Sequence, residues 1–206
     1  MRIVLAAICL VMSLFPFSCS ESTLSQDLES NVHPVKDVVF PSVMFAITST
    51  NWAKGFHHSG CYIDESGSVD TFTYSQSDSI YTFAEDSVIS ISEMSRMLQP
   101  AQSSGRQIEP SLLDSMIALA REAAVGPLSP EVPVCCDYGT LTYSVYIHDS
   151  SVDAYQEVLL YQAGNFARVN QSQAAQKLTV WLMSLDGRTP EEQECSMASY
   201  NASILE

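Results

Sequence analysis

Basic residues are scarce in this chain. Nine Lys and Arg stand against 24 Asp and Glu, a formal net charge of −15. Such a surface repels the phosphates of nucleic acid and of anionic lipid headgroups, so a nucleic-acid role is excluded. It suits solubility, cations or a basic partner. A membrane-spanning run is missing too. The apolar stretch from Ile3 to Phe15 holds about thirteen residues, where a bilayer core needs about 20. There is no G-x-S-x-G elbow, no phosphate-cradling glycine-rich loop and no H-E-x-x-H. These absences remove the familiar signatures of serine hydrolases, nucleotide-binding folds and zinc proteases. No internal repeat at solenoid period is present.

What is there begins with an address. Arg2 is the only charge in the first twenty residues, and the apolar run after it ends in a small-residue stretch, Ser18-Cys19-Ser20. A positive start, a short apolar middle and a small-residue site make a secretory signal. Ser18-Cys19 resembles the processing site of bacterial lipoproteins. That resemblance implies a signal over 1–18 and a lipid on Cys19, the first residue of the mature chain. The rival cut lies after Ser20. It would discard Cys19 and release a periplasmic or secreted soluble product. Residues 21–31 are polar, lack aromatics and show no helical stripe. A flexible tether over 19–37 is therefore expected.

The chain left after the signal has the length of one domain, expected over 38–187, with an acidic polar tail over 188–206. Hydrophobic residues make up 46% of the sequence, enough for a core. Of six cysteines, Cys9 leaves with the signal and Cys19 is assigned to the anchor. Cys61, Cys135, Cys136 and Cys195 remain as disulfide candidates in an exported chain. Adjacent Cys135 and Cys136 are poorly spaced to bridge each other. The expected bridge joins Cys61 to one of them, and the other can reach Cys195. Connectivity is not fixed by the sequence.

Alternation of apolar and polar residues predicts a strand over 42–48, a hairpin through Tyr62-Ile63 and Val69 to Tyr74, and a second hairpin from Leu141 to Ile147 and from Tyr155 to Gln162. Gly67 supplies the positive φ of the first turn. Leu141, Tyr143, Val145 and Ile147 form an apolar face; Thr142, Ser144 and Tyr146 form a polar, exposed one. Ser90 and Glu93 make a capping box ahead of a short helix over 93–98. Residues 99–107 read as a loop, and Pro110 opens a helix ended by Gly126-Pro127. Asn170 or Ser172 caps a last helix with a stripe of Ala174, Ala175, Leu178, Trp181, Leu182 and Leu185. This order gives an α+β fold: an antiparallel sheet of two hairpins plus an N-terminal strand, with helices packed on one face.

The chemistry-bearing candidates are few. His57-His58-x-x-Cys61 is the best metal-like cluster, but it offers two or three ligands where closed zinc sites use about four. Cys61, Cys135 or Cys136 with His57, His58 or His148 could form a thiol–imidazole pair, without the local signature of a known cysteine hydrolase. Asp64, Glu65 and Asp70 crowd a turn but do not follow calcium-loop spacing. Asn170 and Asn201 fit glycosylation acceptors.

Three features, Gly60-Cys61-Tyr62-Ile63 to Gly67, Cys136-Asp137-Tyr138-Gly139-Thr140, and Gly164-Asn165 through Asn170-Gln171-Ser172 to Trp181-Leu182, together resemble the small α+β domain of uncharacterised bacterial envelope lipoproteins. The resemblance spans about residues 40–186 and implies a fold and an address, with no catalytic residue and no cofactor. The expected role is a lipid-anchored, non-enzymatic binder of a protein or envelope component, touching the membrane only through its N-terminal lipid and meeting its partner on Thr142, Ser144 and Tyr146. The alternatives are a thiol- or metal-dependent enzyme around His57, His58 and Cys61, or a protease-inhibitor-like module using the loop before Cys135.

Overall fold

The computed structural model describes residues 41–52, 55–75, 87–134 and 139–186. Cys19, Cys135, Cys136 and Cys195, with the expected signal, tether and tail, lie outside the described residues.

β1 (Val43–Asn51) carries β-branched and aromatic residues on both sides of its pleat, and Val43 to Ile47 are all buried. A strand buried on both faces belongs inside a sheet. Accordingly, β1 pairs antiparallel with β2 (His57–Ile63) on one side and with β7 (Thr140–Asp149) on the other. β2 turns back into β3 (Ser68–Ser75). Asp64 Oδ1 closes that turn by accepting from the Ser66 and Ser68 amides, and Gly67 takes the expected positive φ, +84°. β7 returns as β8 (Ala154–Gly164).

The sheet is antiparallel throughout and larger than expected. Nine strands run in the order β5-β3-β2-β1-β7-β8-β9-β6, with β4 (Val88–Ser90) beside β8. β5 (Gln102–Gln107) corrects the loop reading of 99–107. All six of its residues are exposed, so no apolar alternation marks it. It is held as an edge by backbone pairing to β3 and by Ser104 Oγ donating to the Val69 carbonyl at 2.5 Å. After Asn165 the chain doubles back as β9 (Phe166–Val169), against which Val132–Pro133 adds a two-residue β6.

Three helices complete the α+β fold. α1 (Ile91–Leu98) begins at the Ser90–Glu93 capping box. α2 (Pro110–Ala123) has Glu109 as N-cap and Pro110 in its first turn. α3 (Gln173–Leu185) is capped by Ser172, whose hydroxyl accepts from the Ala175 amide. The helices do not all share one face. Leu113, Ala120, Leu178 and Leu182 of α2 and α3 pack with Val43, Phe45, Ile47 and Tyr143. Met94 of α1 packs on the opposite side, with Met44, Ala46, Tyr62 and Phe72. Both faces of β1 are apolar at its start, so each needs a cover. Among the described residues no helix is long and apolar enough to cross a membrane.

Candidate functional site

α1 covers only part of its face. Toward the far end of β1 the residues on that face change from Met44 and Ala46 to Thr48 and Thr50. Register carries the change across the sheet. Thr48 lies opposite Thr142 and Thr50 opposite Thr140. Gln162 of β8 sits beside Thr142, and Arg168 of β9 beside Gln162. Opposed residues in an antiparallel pair point to the same face. The result is a polar row, Thr48, Thr142, Gln162 and Arg168, across four neighbouring strands. It lines a groove of about 510 Å³. Trp52 forms one wall, 61% exposed, with the Phe56 ring centroid 4.6 Å away. Ile89 and Met97, from β4 and α1, form another.

Among the described residues, two charged side chains line the groove. Glu157 Oε1 accepts from Ser144 Oγ at 2.6 Å and from the Tyr146 hydroxyl at 3.4 Å. Arg168 Nε donates to the Ser129 carbonyl at 3.2 Å, and Ser129 Oγ accepts from the Val169 amide, so the guanidinium is tied to the segment that runs beside β9. His58, 2% exposed, shares a 2.7 Å hydrogen bond between Nδ1 and Thr50 Oγ1. Burial, and to a lesser degree the charge of neighbouring His57, pushes its pKa down to about 4. It is therefore neutral at physiological pH.

The expected contact face is only partly there. Thr142 and Tyr146 both line the groove, but Tyr146 is only 4% exposed, and Ser144, 2% exposed, does not line it. Alternation showed them as polar and away from the apolar face. It did not show that Glu157, across the strand pair, would take up both hydroxyls. Trp52, Glu157, Gln162 and Arg168 were not singled out in the sequence. Their only signal was threonine recurring at alternate positions of two strands, and that is readable only once the register is known.

The other candidates are dispersed. Strand alternation sends His57 and Cys61 to one face of β2 and His58 to the other. Cys61 is half-buried against the α2–α3 side core, while His58 faces the groove. His57 and Cys61 stand four residues apart on one strand, about 13 Å at about 3.3 Å per residue. His148 packs at a tilt against Tyr155, centroids 5.1 Å apart, and Tyr155 belongs to the face away from Cys61. Among the described residues no group of three or more His, Cys, Asp or Glu is arranged to hold a metal ion. Asp64 closes its turn, and Glu65 Oε2 accepts from the Ser42 amide at 2.9 Å. Asn170 is buried, its Nδ2 donating to the Ala123 carbonyl at 2.9 Å, so it joins the end of α2 to the start of α3 and is closed to a glycosyltransferase. Asn201 lies outside the described residues.

Compared with protein-family models, with curated proteins and with solved structures, the chain matches none.

Proposed function

We propose that this chain is a non-enzymatic binding domain, exported and held to the cell envelope by a lipid on Cys19, which takes an envelope component in the threonine groove. The observation that carries the reading is the groove itself. It is a concave site of ordinary small-ligand size, lined by hydroxyl, amide, carboxylate and guanidinium groups on rigid strands beside an exposed tryptophan. Its polar lining suits recognition, and hydrogen bonds to neighbouring segments hold Glu157 to Ser144 and Tyr146, Arg168 to Ser129, and His58 to Thr50.

The test has two halves. Intact mass of the mature protein from its native membrane fraction, before and after reduction and alkylation, should give a chain starting at Cys19 with added acyl mass. A lipid-free chain starting near Glu21 overturns the anchor. For the groove, an aqueous extract of the cell envelope should shift Trp52 emission in the parent protein and not in Thr142→Arg, which fills the floor. A shift that persists in Thr142→Arg overturns the groove as the contact surface.

A further inference from the structure

Resting on the binding role proposed above, we infer that the groove takes a neutral saccharide. Trp52 stacks on a sugar ring, and Thr48, Thr142, Gln162 and Arg168 bond its hydroxyls.

Charge selects the class first. The chain carries −15 overall, yet among the described residues the groove is lined by one carboxylate, Glu157, and one guanidinium, Arg168, of opposite charge. His58 adds no charge above about pH 4. A neutral site on an acidic surface disfavours anionic ligands, which the protein's field repels. The same field favours a cation, but the described lining offers it one carboxylate, Glu157, whose Oε1 is already bonded by Ser144 and Tyr146. What remains is neutral.

The chemistry of the lining comes next. Threonine hydroxyls and the glutamine amide each both donate and accept; Glu157 and Arg168, whose Oε1 and Nε are engaged within the protein, add an acceptor through Oε2 and donors through the Nη groups. A ligand made of hydroxyls, themselves both donors and acceptors, can satisfy such a mixed surface in many orientations. An apolar ligand would strip water from these groups and return nothing.

Geometry supplies the third argument. Neighbouring strands are about 4.8 Å apart, roughly the length of one pyranose ring, so four residues across four strands span about 14 Å. A short oligosaccharide laid across the strands would meet one polar side chain per ring. Trp52 is broad, flat and 61% exposed at the wall, backed by Phe56. An aromatic face of this kind packs against the C–H face of a sugar while its edge stays wet.

The experiment is saturation-transfer NMR on the full chain with three neutral trisaccharides, β-1,4-linked glucose, α-1,4-linked glucose and β-1,4-linked N-acetylglucosamine. Tri-galacturonate and trialanine serve as controls for charge and class. At least one neutral sugar should bind, tri-galacturonate should not, and both Thr142→Val and Trp52→Ala should weaken binding about tenfold. Trialanine binding without any saccharide overturns the inference. So does sugar binding that neither variant changes. If none of the three sugars binds, the envelope extract decides after periodate treatment, which cleaves vicinal diols. A Trp52 shift abolished by periodate supports a saccharide. A shift that survives periodate overturns the saccharide and leaves the binding role standing. No shift from the untreated extract overturns both.

Discussion

On β1, Val43, Phe45 and Ile47 face α2 and α3, while Met44, Ala46, Thr48 and Thr50 face the other way. The first face is apolar from Val43 to Ile47, with Phe45 at its centre, and two helices of 14 and 13 residues pack on it. The second face is apolar and aromatic only where α1, eight residues long, lies on it; beyond α1 it becomes hydroxylated. Cover and chemistry change at the same place, between Ala46 and Thr48. Burying the threonines under a helix would cost their hydration, and leaving Phe45 and Ile47 bare would forfeit the core. One face therefore holds the fold together, and the other ends in the open groove proposed as the binding site.

The strongest way to break that comparison is to cut the same sheet on each side. Leu182 is fully buried in α3 among Val43, Phe45 and Leu178. Leu182→Ala should lower the unfolding free energy by about 2–5 kcal/mol, because the cavity left between helix and sheet collapses only partly. Thr142→Val, on the opposite face, should stay within about 0.5 kcal/mol of the parent. Urea denaturation of both variants is the check. Equal losses would mean that the groove floor is part of the core after all.

Acid sharpens the comparison, because a buried imidazole sits on the groove side. His58 has an ordinary value near 6.5 in the unfolded chain and about 4 when folded. As pH falls below about 6.5 the unfolded state takes the proton first. The stabilisation is therefore complete above pH 6.5, drains away between 6.5 and 4, and stays lost below 4. Its size is up to about 3 kcal/mol. His58→Gln keeps a partner for Thr50 without a titrating ring, so the difference between parent and variant should slope across that window and be flat above it. A difference that is level from pH 7 to pH 4 would put a proton on His58 in the folded state and remove the neutral wall from the groove.

The helix-side face was the easier one to read in the sequence. Strand alternation in β1 and β7 and the 3.6-residue stripe of α3 each bury one face repeatedly, and repetition is what makes a period visible. Ser90, Glu93, Pro110 and Ser172 mark helix starts by local hydrogen bonding and fixed φ, which need no tertiary context. The groove side was obscure for matching reasons. β5 is exposed at every position and β4 is three residues long, so neither carries a period. The side on which α1 packs is fixed by what the sheet leaves uncovered, not by its own stripe. Ser144 and Tyr146 look like surface residues until Glu157 arrives from the next strand. The groove depends on cross-strand register, and no local window of sequence contains that.

α1 offers the finest test, since it supplies Met97 to the groove wall. Its start rests on reciprocal bonds: Ser90 Oγ accepts from the Glu93 amide at 3.2 Å, and Glu93 Oε2 accepts from the Ser90 amide at 3.0 Å. The Ser90 hydroxyl, donating to Glu93 Oε2 at 2.7 Å, and then the Ser90 amide hold the Glu93 carboxyl below its usual range. Its end is tied down by the Tyr74 hydroxyl, which donates to the Met97 carbonyl at 2.8 Å. Ser90→Ala removes the start and leaves the end, at a cost of about 1 kcal/mol. If the two faces are stabilised separately, amide exchange should speed up over 91–98 and stay unchanged in α2 and α3. Faster exchange in α3 as well would mean that the short helix and the two long ones unfold as one unit, and that the groove wall is as firmly held as the core behind the sheet.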